Sequence, residues 1–507
     1  MINADIFKKR SSGVLMHISS LSGESGIGTL GKAARNFIDF LSEAGQTYWQ
    51  ILPVCPTSYG DSPYQSFSTF AGNPYFIDLE LLCKDGLISE ADYKNVNWGT
   101  DALRVDYGLL YQNRRSLFEK VQTNFEKNIP ADYAAFYKQN SFWLDDYALF
   151  MAIKDAHNGA SFLEWEEDIR LRESKAVAKW QREATRRVEY YRILQYLFYK
   201  QWKALRAYAA KKSIKIIGDI PIYVSADSAD VWTHPENFLL DKKLVPLEVA
   251  GCPPDAFSAL GQFWGNPVYD WNKMKENGYS WWKQRLKASL SIYDVLRIDH
   301  FRGFDSFYSV QYGSADAKNG KWNKGPGIEF FDEIKKEFGE LPIIAEDLGF
   351  LTDSVKDLLR QSGFPGMKVL QFAFDTRDAN SKEYIPDCYP ENCVVYTGTH
   401  DNDTINGWTK TARQDDVKKA LAYYHLSEPS QLREAMMLSA LNSNANICIL
   451  TIQDLLSLGS EARMNTPSSV GTNWQWRMGE NQLSSEIAPW LKDKTTSSRR
   501  ISKNSQE

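Results

Sequence analysis

Eight short runs rich in Val, Ile and Leu, most of them separated by stretches of helical periodicity, constrain this fold more than any other feature. They are 13–20 (GVLMHISS), 48–54 (YWQILPV), 215–224 (KIIGDIPIYV), 295–301 (VLRIDHF), 343–348 (IIAEDL), 368–374 (KVLQFAF), 393–399 (CVVYTGT) and 446–453 (NICILTIQ). Apolar runs of this length, bounded by turn residues and followed by amphipathic stretches, read as parallel strands buried on both faces. A doubly wound sheet is the competing arrangement, but eight units close naturally into a ring. The expected fold class is therefore α/β, a (β/α)8 barrel with inserted subdomains, the largest between strands 2 and 3.

The whole chain reads as a single catalytic barrel, with insertions at about 58–172 after strand 2 and about 225–290, as cleft loops, after strand 3. From 173 to 212 apolar residues recur at Tyr190, Ile193, Leu194, Leu197, Phe198, Leu205 and Tyr208. That period predicts one long helix whose Arg and Lys residues form a solvated face. The polar stretch 493–507 is expected to be a flexible tail.

Charge narrows the function classes. With 59 Lys and Arg against 64 Asp and Glu, the net charge is −5 and no basic block stands out. A nucleic-acid partner is not expected from that balance. No apolar run approaches the ~20 residues of a membrane span, and no apolar segment follows the charged N-terminus as in a secretory signal. Six cysteines lie scattered without a C-x-x-C pair. They read as free thiols in a reducing, cytoplasmic setting rather than as a disulfide framework or a zinc site. The aromatic content is high, with 16 Trp, 26 Tyr and 26 Phe. Such rings build cores, and they also stack on the C–H faces of sugars.

The acids carry the chemical signal. Asp219 lies in the third run, Asp299 in the fourth, Glu346 in the fifth, and Asp401 just past the seventh. In a (β/α)8 barrel the C-terminal strand ends converge on one face, where active sites are built. Carboxylates within apolar strands are costly to bury unless paired or used. A cluster of this kind serves either metal-assisted catalysis or glycosyl transfer. Arg297 argues against the metal. Two residues before Asp299 on the same strand, it points into the barrel beside the acids, where a guanidinium repels a divalent ion and keeps Asp299 ionised as a nucleophile. His300 and His400 flank the cluster as neutral hydrogen-bond donors. A nucleophile on strand four and an acid on strand five are neighbours, which suits the ~5–5.5 Å carboxyl separation of a retaining mechanism.

RIDHFRGF around Asp299, IIAEDLG around Glu346 and GTHDNDT around Asp401 resemble signatures of the amylomaltases, the 4-α-glucanotransferases or disproportionating enzymes. The resemblance continues through SGIGTLG from Ser25, YGDSPYQSFSTFAGNPYFIDL from Tyr59, GDIPIYV from Gly218, GQFWGNPVYDW from Gly261 and SEARMNTP from Ser460. It implies that Asp299 is the nucleophile, Glu346 the general acid/base and Asp401 the acid that stabilises the transition state. It further implies sugar contacts from Asp219, Arg297, His300, His400, Trp264 and Asn465. Ser62 and Tyr64 match the donor-side pocket, Asp375 a contact at the barrel mouth, and Tyr59 a secondary surface site for glucan.

The implied activity transfers a segment of an α-1,4-glucan, from maltose to longer maltooligosaccharides, to glucose or another glucan. No cofactor or metal is implied. A retaining α-glucan hydrolase is the alternative, since the same acids serve both outcomes. Three departures from the family pattern stand out: Ala256 in PPDAFS where many relatives carry an aromatic residue, HISSLSG without the usual proline, and RMNTPSSVG without the Gly that commonly follows the Pro.

Overall fold

The computed structural model describes residues 4–254, 259–349 and 351–501. It carries twelve strands among these residues: β1 (Ser11–Leu15), β2 (Tyr48–Gln50), β3 (Lys215–Pro221), β4 (Glu248–Cys252), β5 (Gln262–Pro267), β6 (Val295–Asp299), β7 (Ser306–Gln311), β8 (Lys321–Lys324), β9 (Ile343–Ala345), β10 (Gly366–Val369), β11 (Cys393–Tyr396) and β12 (Ile447–Thr451). Eight of them form one parallel sheet in the order β10-β11-β12-β1-β2-β3-β6-β9. The remaining seam, between β9 and β10, closes through the Ala345 N–H, which donates to the Pro365 carbonyl at 3.0 Å. Asp347 reinforces it by accepting the Met367 N–H at 2.6 Å. The result is a (β/α)8 barrel in which all eight expected runs supply strands.

Burial on both faces explains the composition of these strands. Every residue of β1, β2, β9, β11 and β12 is buried, as expected where helices cover the outside of a parallel barrel. Gly218 lets β3 approach its neighbour, since a Cβ there would sit 2.2 Å from the Tyr293 ring. The other four strands form an antiparallel sheet in the order β5-β4-β7-β8, built from segments that follow β3 and β6.

Between β2 and β3 the chain leaves the barrel for a helical region that includes Tyr107–Phe125, Tyr133–Ala156 and Thr185–Lys211. The long helix expected over 173–212 is two helices, Ser174–Glu183 and Thr185–Lys211, with Ala184 out of helical geometry between them. The cause is local: the Thr185 hydroxyl donates to the carbonyls of Gln181 and Arg182, competing with the backbone ladder. The sixth strand is also shorter than its run, because 370–374 turns into the short 3-10 segment Leu370–Phe374.

The stretch read as a flexible tail is docked as far as it is described. Ile487–Ser497 is a helix, Thr495 is buried, and Arg500 is fully buried. Its guanidinium donates to the carbonyls of Ser11, Leu441, Ser443 and Asn446, at the N-terminal ends of β1 and β12 and the end of the helix Leu432–Asn442. Hydropathy missed this because the anchor is a cation satisfied by carbonyls. No helix among the described residues is long and apolar enough to cross a membrane.

Candidate active site

Arg297 and Asp299 alternate along β6 and so share its inner face, while Asp219 stands opposite Arg297 in the β3–β6 register. The buried Arg297 guanidinium forks between them, donating through Nη1 to Asp219 Oδ2 at 2.6 Å and through Nη2 to Asp299 Oδ1 at 2.8 Å. Its Nε–H reaches the Met367 sulfur at 3.4 Å, so the fork is fixed at three points. Two carboxylates hold the cation strongly in its charged form, despite burial that works against it.

Asp219 has no solvent exposure and also accepts the Tyr64 hydroxyl at 2.8 Å. Burial pushes its carboxyl up to about 6, opposed chiefly by Arg297. Asp299 is more open, with 29% of its side chain exposed. One carboxylate is thus a buried brace and the other faces the cleft.

Glu346 follows β9 directly and is held from both sides. Its Oε2 accepts the His300 N–H at 2.7 Å, and its Oε1 accepts the Leu348 N–H at 2.8 Å. Burial, followed by the charge of Asp299, pushes its carboxyl up to about 8, against the pull of Arg297 and the two N–H groups. A carboxyl raised in this way keeps its proton at neutral pH, which suits proton donation. The chain turns left-handed at His300, φ 57°, as it leaves β6. Burial, with the nearby Arg302, lowers its imidazole to about 3, so His300 is neutral. Trp264 of β5 meets it edge-on with ring centroids 4.8 Å apart.

Opposite this group stands Asp401, whose Oδ1 accepts the Asn465 side-chain N–H at 2.6 Å, with His400 Nε2 3.3 Å from Oδ2. Tyr64 stacks on His400 at 5.1 Å, joining the loop after β2 to the loop after β11. Ser62 sets the turn before Tyr64, its hydroxyl accepting the Tyr64 N–H at 3.2 Å.

Of the residues singled out from the sequence, Asp219, Arg297, Asp299, His300, Glu346, Trp264, Tyr64, His400, Asp401, Asn465 and Ser62 thus connect through hydrogen bonds, ion pairs, ring contacts or adjacency along the chain around one barrel mouth. Asp375 lies at the end of the turn after β10, paired with Arg377 at 2.7 Å. Tyr59 is 83% exposed on the surface. No hydrogen bond or ring contact among the described residues links either of these two to the acids. Ala256 falls outside the described residues.

The sequence reading missed Arg463. Its Nη2 donates to the Asp401 carbonyl at 2.6 Å and its Nε to the Asn465 carbonyl at 2.8 Å, clasping the two loops that carry that pair. Its place two residues before Asn465 was the available signal, but a cation on a loop has no periodicity to betray its role.

A family model described as 4-alpha-glucanotransferase matches residues 16–482. The chain belongs to the 4-α-glucanotransferase family. A 4-alpha-glucanotransferase of Clostridium butyricum is 49% identical over 475 residues, covering 93% of this chain and 97% of that protein. One from Streptococcus pneumoniae is 48% identical over 500 residues, covering 98% and 99%. The solved amylomaltase of Streptococcus agalactiae, in complex with acarbose, superposes with a TM-score of 0.94 at 44% identity, covering 97% of this chain and all of that one. Members of the 4-α-glucanotransferase family are hexosyl-transferring enzymes, and this chain is one of them.

Proposed function

We propose that the chain transfers a segment of an α-1,4-glucan to the 4-OH of glucose or a second glucan by double displacement with retention. The observation that carries this reading is the pairing of Asp299, held by the Arg297 fork, with Glu346, tied to the backbone one residue beyond it. That tie joins the acid after β9 to the chain at the end of β6, its neighbour in the sheet, and a retaining pair needs its carboxyls about 5–5.5 Å apart.

In the first step Asp299 attacks the anomeric carbon while the Glu346 proton goes to the departing glycosidic oxygen. The donor bond breaks and a covalent glycosyl-enzyme forms. Glu346, now ionised, takes the proton from an incoming 4-OH, whose oxygen displaces Asp299 and restores both groups. Asp401, steadied by Asn465 and Arg463, offers negative charge where the ring becomes cationic. His400, His300 and Trp264 line the path of the sugar, and Asp219 acts through Arg297 and Tyr64. If water replaces the 4-OH, the outcome is hydrolysis.

Maltotriose distinguishes the two. Transfer yields glucose together with a ladder of longer maltooligosaccharides, resolved by size. Products no longer than the substrate, with reducing ends rising steadily, mark a hydrolase and reject the proposal.

A further inference from the structure

Trp474 is an indole held in a left-handed backbone conformation, φ 65°, with 5% of its surface exposed. Bulky residues rarely adopt this region, and such outliers persist only where the surroundings impose them. Here the surroundings do. The Trp474 N–H donates to the Met464 carbonyl at 2.7 Å, and the Tyr107 hydroxyl donates to the Trp474 carbonyl at 2.9 Å. One and three residues further on, the Gln475 carbonyl accepts the Val105 N–H and the Arg477 N–H donates to the Leu103 carbonyl. The loop after β12 is thereby stitched to the region inserted after β2.

This conformation delivers the ring to the back of the site. The Trp474 centroid lies 5.8 Å from Tyr64 and 5.8 Å from His400, which stack on each other at 18°. Three loops of the barrel mouth, following β2, β11 and β12, meet in this aromatic triangle. Each of its other members ends on a carboxylate: the Tyr64 hydroxyl on Asp219 at 2.8 Å, and His400 Nε2 beside Asp401 at 3.3 Å.

We infer that Trp474 is a positioning residue for glycosyl transfer. Its ring fixes Tyr64 and His400, and through them the orientation of Asp219 and Asp401, before a sugar arrives. The inference rests on the proposed reading of the site. Ordering that wall in advance removes a cost that substrate binding otherwise bears, and backbone strain is the consequence of aiming the ring.

Two variants that both lack the ring separate positioning from bulk stability. Glycine accepts φ 65° freely and alanine does not, so Trp474→Gly should melt above Trp474→Ala. Trp474→Asn, whose side chain also tolerates this region, replaces Trp474→Ala should the latter aggregate. Well below melting, both ringless proteins should consume maltotriose with the same loss of kcat/KM, about 30-fold, while Trp474→Phe stays within about threefold of the parent. In a Tyr64→Ala background the further loss on Trp474→Gly should shrink to about threefold or less. Near-parental activity in a folded ringless variant, activity that follows the order of melting temperatures, or an undiminished loss in the Tyr64→Ala background overturns the inference. Because maltotriose consumption is measured whatever the products, this series and the transfer proposal fail separately.

Discussion

Glu346 and His300 are joined by a 2.7 Å hydrogen bond in which the His300 backbone N–H donates to Glu346 Oε2. Since His300 directly follows Asp299, the acid after β9 is anchored to the main chain one residue from the carboxylate that ends β6. The anchor of Glu346 is therefore a main-chain group, while the Asp299 carboxylate is held by the Arg297 side chain, and the chain turns left-handed at His300, φ 57°.

That environment sets a pH dependence. Burial and the Asp299 charge raise Glu346 to about 8, and the first step needs it protonated. The proton is present below this value and lost as pH rises through it, so kcat/KM for maltotriose should fall on the alkaline side with an apparent pKa near 8. A glycosyl fluoride needs no protonation to leave. The rate at which α-maltosyl fluoride loads the enzyme, followed by rapid quench, should keep its value across that range.

Arg297 should resist conservative replacement. A lysine ammonium is a point charge that cannot span Asp219, Asp299 and the Met367 sulfur at once. Arg297→Lys should lower kcat on the order of 10²-fold through misplacement of Asp299. Arg297→Met leaves Asp219 buried without its counter-charge and should cost about 3–5 kcal/mol in denaturant unfolding.

The same guanidinium beside the acids makes a divalent ion unwelcome at the barrel mouth. Activity on maltotriose should survive exhaustive EDTA treatment unchanged. Loss on chelation, with recovery on adding Mg²⁺ or Mn²⁺, would refute that electrostatic argument.

At the other end of the molecule, Arg500 satisfies carbonyls of Ser11, Leu441, Ser443 and Asn446. Arg500→Met should lower stability by about 2–3 kcal/mol, because buried carbonyls lose charged donors, with kcat at moderate temperature unaffected. Equal stability in denaturant melts would show that water replaces the guanidinium at no cost.

The contrast between these residues explains what was legible in the sequence. The barrel strands are apolar runs, and Asp219, Asp299 and Glu346 stood out because they interrupt or end such runs. Alternation along β6 sufficed to put Arg297 beside Asp299. Arg463, Trp474 and Arg500 left no such trace. Their partners are carbonyls or rings, most of them on segments distant in sequence, and loop geometry such as φ 65° at Trp474 has no hydrophobic period. The break at Ala184 was likewise hidden, since a Thr185 hydroxyl bonding backward leaves the apolar repeat intact.

The division of labour between Asp299 and Glu346 is tested most directly by trapping the intermediate. In Glu346→Gln, α-maltosyl fluoride can still load the nucleophile, but no base remains to activate an acceptor, so the glycosyl-enzyme persists. Peptide mass spectrometry after exposure to the fluoride should place one maltosyl group on the peptide containing Asp299, at the Asp299 carboxyl. A label on Asp219 or Asp401, or no covalent adduct while the fluoride is consumed, would contradict the account.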